Sequence, residues 1–172
     1  MLEQSPCKDS AEIERLARRM AADIGRHMER LECERPLLVG IHTGGVWVAE
    51  KLRERLDYDM GQLNIAFYRD DFSRIGISPK VTPTRLPLPV EDRRVVLVDD
   101  VIHTGRTIRA ALNAIFDYGR PTSVSLAILF DREGRELPIQ PDFVGEKMQV
   151  AGNEHLKLDG PTPLSLLLVK AA

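Results

Sequence analysis

Asp99 and Asp100 are followed, after Val101, Ile102 and His103, by the small hydroxyl-rich turn Thr104-Gly105-Arg106-Thr107. Glycine permits a tight turn whose backbone N–H groups converge on one point, and a following helix adds a partial positive charge there. A phosphate monoester fits that point, with Thr104 and Thr107 as hydroxyl donors. The two carboxylates would repel a phosphate in direct contact. They suit sugar hydroxyls, from which they accept hydrogen bonds, or a hydrated Mg²⁺. A ligand carrying both a phosphate and a ribose diol satisfies every part, which describes a ribose 5-phosphate group.

The flanking pattern supplies the elements such a turn needs. Val95–Val98 is an apolar, β-branched run of strand length. From Arg106 to Tyr118, Ile108, Leu112, Ile115 and Phe116 keep helical spacing. Two other readings fit part of this pattern. One is an ordinary strand-to-helix turn. The other is a phospho-receiver domain, which would need its acidic pair near the N-terminus and a strand-terminal Asp further on than Asp131.

The remainder predicts further strand and helix units. Ala11–Leu31 is amphipathic with Ser10 as expected N-cap, and Arg15, Arg18, Arg19 and Arg26 lie on its polar face. Leu37–Ile41 reads as a buried strand that delivers His42-Thr43-Gly44-Gly45 and then a helix from Val46 to Leu56, a second strand–glycine turn–helix unit. Gln62–Tyr68 reads as a strand. Ser73–Asp92 is a loop rich in Pro, Gly, Ser and Thr with basic Arg74, Lys80 and Arg85, and its length marks it as a candidate lid. Thr122–Phe130 reads as a further buried strand. Short strands are expected past Gly145, with Leu164–Val169 closing the sheet. These units predict an α/β fold on a mainly parallel sheet, whose ligands bind at the carboxyl ends of the strands.

At 172 residues the chain is expected to form a single domain, 1–172. Its formal charge of -2 argues against a nucleic-acid binder held by bulk charge. Cys7 and Cys33 have neither metal-site spacing nor the number for a disulfide framework, which suits a reducing, cytoplasmic setting. No apolar run reaches the length of a membrane span.

Asp99-Asp100 with Thr104–Thr107 resembles the PRPP motif of type I phosphoribosyltransferases. Three further segments narrow the likeness: L-V-G-I-H-T-G-G-V at Leu38–Val46, F-Y-R-D-D-F-S at Phe67–Ser73, and D-R-E-G-R-E-L-P-I with P-D-F-V-G within Asp131–Gly145. Together they resemble the PyrR family, pyrimidine operon regulators that are also uracil phosphoribosyltransferases. The resemblance implies a type I phosphoribosyltransferase fold with a small hood near 131–160 and a mobile loop. It implies conversion of uracil and PRPP to UMP and pyrophosphate, with Mg²⁺ accompanying PRPP at Asp99 and Asp100. Val101, His103, Thr104, Gly105, Arg106 and Thr107 would line the PRPP phosphate site. Thr43, Gly44 and Gly45 would face pyrophosphate, and Arg69 would add charge beside the acidic pair.

The same resemblance places Arg132, Arg135, Leu137 and Ile139 at the uracil edge. It gives His103 a structural or stacking role in preference to that of a general base. Relatives usually carry T-R-G at Thr43-Gly44-Gly45, so Gly44→Arg is expected to strengthen PRPP binding. The alternative function is a UMP- or UTP-sensing attenuation regulator that binds mRNA, with Arg18 and Arg19 on the RNA face. Such binding should weaken steeply with salt, and Val150–His155 lacks the basic residues often found there in attenuating relatives. A homodimer or higher homo-oligomer is expected from the family.

Overall fold

The computed structural model describes residues 2–65, 84–86 and 89–170. Its centre is a five-stranded sheet of β2 (Leu37–Ile41), β3 (Asp59–Leu63), β4 (Arg94–Ile102), β5 (Ser123–Arg132) and β6 (Phe143–Met148), in the order β3-β2-β4-β5-β6. All four pairings are parallel. Parallel sheets need cover on both faces, which explains the unbroken apolar runs at Leu37–Ile41 and Val95–Val98. Leu38, Val96 and Val98 pack towards Ile13, Met20, Ile24 and Met28 of α1 (Ser10–Arg30) and towards Val48 and Leu52 of α2 (Gly44–Arg53). Leu37, Val39, Val95 and Leu97 pack towards Ile108, Ala111 and Ile115 of α3 (Arg106–Tyr118).

Sequence and structure agree on β2 and on α3 to the residue, and differ elsewhere for identifiable reasons. The first helix is capped by Asp9 rather than Ser10. The Asp9 side chain accepts from the N–H of Glu12, whose own carboxylate accepts from the N–H of Asp9, a reciprocal capping box that Ser10 cannot form from inside the first turn. The second helix begins at Gly44 and ends at Arg53, earlier at both ends than expected. The strand expected at Gln62–Tyr68 lies instead at Asp59–Leu63, where Leu37↔Asp59 through Ile41↔Leu63 pair in parallel register; residues 66–68 are outside the described part. β4 does not stop at the acidic pair but continues to Ile102, because β5 supplies partners throughout: Asp99↔Ile128, Val101↔Phe130 and Ile102↔Asp131.

The C-terminal third departs most from expectation. Phe143–Met148, expected within the hood, is the edge strand of the main sheet. Its start is fixed by Asp142, whose N–H donates to the Leu126 carbonyl and whose carboxylate accepts from the Leu126 N–H, both at 2.8 Å. Leu164–Val169 does not close the main sheet. Ser165–Lys170 (β8) is the centre of a separate antiparallel sheet, flanked by β1 (Glu3–Lys8) and β7 (Glu154–Asp159). Leu158, Leu164 and Leu166 join this sheet to the core shared by α1 and α2. Among the described residues, no helix is long and apolar enough to cross a membrane.

Candidate functional site

The chain crosses from one half of the main sheet to the other between β2 and β4. The connection from β2 runs outward to β3, and the chain then returns past β2 to β4. In open α/β sheets a crevice opens at such a reversal, beyond the carboxyl ends of the strands. The turn 42–45 leaves β2 there, and 103–105 leaves β4 beside it.

The turn after β2 lies against the end of β4. A Cβ on Gly44 would overlap the Asp100 carboxylate, and one on Gly45 would stand 2.5 Å from the Val98 carbonyl oxygen and 3.0 Å from Asp99 Cα. The glycine pair thus lets the first turn of α2 lie directly on β4. The His42–Thr43 peptide is cis, and His42 Nε2 lies 3.0 Å from Gln62 Oε1 of β3. Thr43 is exposed at the N-cap of α2.

Asp99 is buried and Asp100 half-buried. Asp99 Oδ1 accepts from the N–H of Asp100 at 2.9 Å, and Asp100 Oδ1 accepts from the N–H of Val101 at 2.8 Å. Each carboxylate is held by the next backbone donor. Gly105 has φ +93°, a left-handed conformation that favours glycine, and it caps α3 without a side-chain bond. The N–H groups of the first turn of α3 therefore keep an anion-binding direction. Thr104 Oγ1 accepts from the N–H of Arg106 at 3.2 Å, while Thr107 is half-buried one position further on.

The segment after β5 is fastened to this turn. The N–H groups of Glu136 and Leu137 donate to the Thr104 carbonyl at 2.9 and 3.1 Å, and Arg106 Nε donates to Glu136 at 2.9 Å. The Cβ atoms of Leu137 and Ile139 stand 3.5 Å from where a Gly105 Cβ would be, so both residues back the Thr104–Thr107 turn. Arg135 lies half-buried within the loop. Its Nε donates to the Ile139 carbonyl, one amino group to the His103 and Arg132 carbonyls, and the other to Asp131 and Gln140, at 2.8–3.4 Å. The guanidinium expected at a base edge braces its own loop. Arg132 is buried and donates to the Glu154 carbonyl of β7 at 2.9 Å, which ties the small sheet to the site.

His103 is exposed, with Nε2 only 2.5 Å from where a Gly134 Cβ would lie. Gly134 has φ +116° and leaves room for the ring. Partial desolvation of the ring lowers the His103 pKa below its ordinary value, and Arg132, His155 and Arg135 push in the same direction against Glu136. The ring is thereby biased towards its neutral form.

Asp131 was expected at a strand end beside the two glycine turns, and it lies at the end of β5; Gly134 and Glu136, which the sequence does not single out, lie against His103 and Arg106. Arg69 lies outside the described residues. Arg18 and Arg19 are exposed on α1, and the Arg19 guanidinium donates to the Gly145 carbonyl. Among the described residues there is no cluster of three or more His, Cys, Asp or Glu side chains arranged to hold a metal ion.

A five-stranded parallel sheet with an acidic pair and two glycine turns at its switch point is the arrangement of a type I phosphoribosyltransferase. Residues 4–159 match the phosphoribosyl transferase domain family. The hypoxanthine phosphoribosyltransferase of Trypanosoma cruzi has the same fold, with a TM-score of 0.72 at 18% identity over 98% of this chain and 97% of that one. A hypoxanthine-guanine phosphoribosyltransferase from Bacillus anthracis superposes with a TM-score of 0.66 at 15% identity, covering 84% and 83% of the two chains.

Sequence comparison narrows the class. The Bifunctional protein PyrR of Nitrosococcus oceani is 56% identical over 159 residues, 90% of each chain. That of Pseudomonas paraeruginosa is 53% identical over 150 residues, 86% of this chain and 88% of its own. The chain belongs to the PyrR family of phosphoribosyltransferases.

Proposed function

We propose that this protein transfers the 5-phosphoribosyl group of PRPP to uracil, releasing pyrophosphate and forming UMP, and that it serves in control of pyrimidine biosynthesis genes. The observation that carries the reading is the contact between Gly44 and Asp100. It joins a glycine turn to an acidic pair at the end of β4, the strand from which the hydroxyl-rich turn and helix N-terminus follow. PRPP presents a group for each: pyrophosphate at Thr43, Gly44 and Gly45, ribose hydroxyls at Asp99 and Asp100, and the 5-phosphate at Thr104–Thr107.

Binding at three points fixes the sugar and leaves the bond to pyrophosphate facing the crevice between β2 and β4. As that bond breaks, positive charge grows on the ribose ring and negative charge on the departing pyrophosphate. Asp99 and Asp100 stabilise the first electrostatically, and the backbone donors of the glycine turn meet the second. Hard oxygen donors suit Mg²⁺. With two carboxylates and no fuller cluster among the described residues, the ion would complete its coordination with PRPP oxygens and water. When bound, it neutralises charge on the leaving group.

The resemblance to PyrR proteins supports uracil as the base, with backbone groups of the loop Arg132–Ile139, braced by Arg135, at the base edge. A role for Leu137 and Ile139 is then support of that loop against Gly105. In a second reading, UMP or UTP in the same pocket governs attachment to mRNA; it is favoured by the relatives' name, which records two functions, and by exposed Arg18 on α1. A homodimer or higher homo-oligomer would present that face.

The test is pyrophosphate release from Mg²⁺-PRPP with uracil, hypoxanthine or orotate. Release with uracil alone is expected. Release with hypoxanthine alone would overturn the base assignment, and none with any base, together with tight UMP binding, would favour the sensor.

A further inference from the structure

Gly44 stands where the family pattern leads one to expect a basic residue, and the space its missing side chain leaves is filled. A Cβ at Gly44 would overlap Asp100 Oδ2 and lie 2.6 Å from Asp100 Cγ and 3.1 Å from its Cβ. Carbon atoms in ordinary contact are about 3.5–4 Å apart. The carboxylate cannot turn away without cost, because its Oδ1 accepts from the Val101 N–H at 2.8 Å. Gly45 rests on the same strand, against the Val98 carbonyl and Asp99 Cα, so the whole turn is seated directly on β4.

We propose that Gly44 is a positioning residue for phosphoribosyl transfer: its bare α-carbon seats the Asp100 carboxylate against the turn that receives the leaving group. The inference rests on the function proposed above. The acid that meets the ribose and the turn that meets pyrophosphate are then set by one contact. A basic side chain at position 44 and the present placement of Asp100 are alternatives. Gly44→Arg brings a cation to pyrophosphate only by moving the acid, so gained PRPP affinity comes with lost turnover.

Steady-state kinetics of the full chain with uracil and Mg²⁺-PRPP test this, using Gly44→Ala alone and in an Asp100→Ala background followed by radiolabelled uracil. In the native background kcat should fall about tenfold or more, while KM for PRPP changes by less than about threefold. In the Asp100→Ala background the added methyl should change residual turnover by less than about twofold, because the group it displaces is gone. A Gly44→Ala enzyme within twofold of the parent kcat, or equal fold losses in both backgrounds, would overturn the proposal. Should the parent protein fail to use uracil, the base assignment falls separately. A crystal structure of Gly44→Ala then decides: Asp100 turned from the Val101 N–H supports the seat, and an unmoved Asp100 refutes it.

Discussion

The turns after β2 and β4 share one architecture and differ in where their chemistry resides. Both leave neighbouring parallel strands and open a helix. The turn after β4 carries side-chain donors, Thr104 and Thr107, and is clasped from outside by Glu136 and Leu137. The turn after β2 carries two glycines, and its partners lie beneath it, in the backbone of β4 and the carboxylate of Asp100. The first can be improved or spoiled by changing functional groups. The second is shaped by the absence of atoms, and adding any is the way to spoil it.

The largest effect should come from the acid between the two turns. Asp100→Asn keeps the shape and removes the charge, and uracil-dependent kcat should fall on the order of a hundredfold with the melting temperature unchanged. Near-parental turnover would remove Asp100 from the site. The next pair of variants bears on the comparison itself. Gly45→Ala sets a methyl against the Val98 carbonyl and Asp99 Cα, which are backbone and cannot step aside. It should destabilise the fold by about 1–3 kcal/mol, read as a melting temperature lower by several degrees. Thr107→Ala should leave the melting curve alone and weaken PRPP binding about tenfold by calorimetry. Equal melting losses in the two variants would show that the turns do not divide their labour in this way.

The smallest effect concerns His103, beside the turn after β4. Its lowered pKa means that the folded protein takes up this proton less readily than the unfolded chain. Stability from this group is therefore intact above the ordinary imidazole value of 6.5 and declines as pH falls from there towards the lowered folded value. Solvent screens the exposed ring and keeps the effect small. Melting temperatures taken about one pH unit above and below that value should differ less for His103→Gln than for the parent. Equal differences would place the ring in bulk-like surroundings.

Legibility followed sequence distance. The β4–α3 unit was readable because strand, acids, turn and helix are contiguous, and each constrains the next. β2 was readable from its apolar run alone. β1 was not: Glu3–Lys8 is polar, contains Pro6, and exists as a strand because Glu3 pairs with Lys170 at the other end of the chain. Phe143–Met148 has one buried residue, Gly145, so nothing in its own pattern announced an edge of the main sheet. Arg135 was readable as a charge but not as a brace, because its acceptor groups gain that role only when the loop has closed. In the sequence Gly44 is a missing cation. That it is also an occupied space depends on Asp100, more than fifty positions away, and no local pattern records it.

The brace has a consequence for how this loop can diverge over generations. Arg135 reads Ile139, His103 and Arg132 through their backbone carbonyls, and only Asp131 and Gln140 through side chains. The identities at 103, 132 and 139 can drift without untying the knot, whereas a single codon change at 135 undoes all of it and leaves Asp131 buried without its counter-charge. The loop is thus tolerant at its acceptors and brittle at its donor, so new base preferences would be expected to arise around Arg135 and not at it.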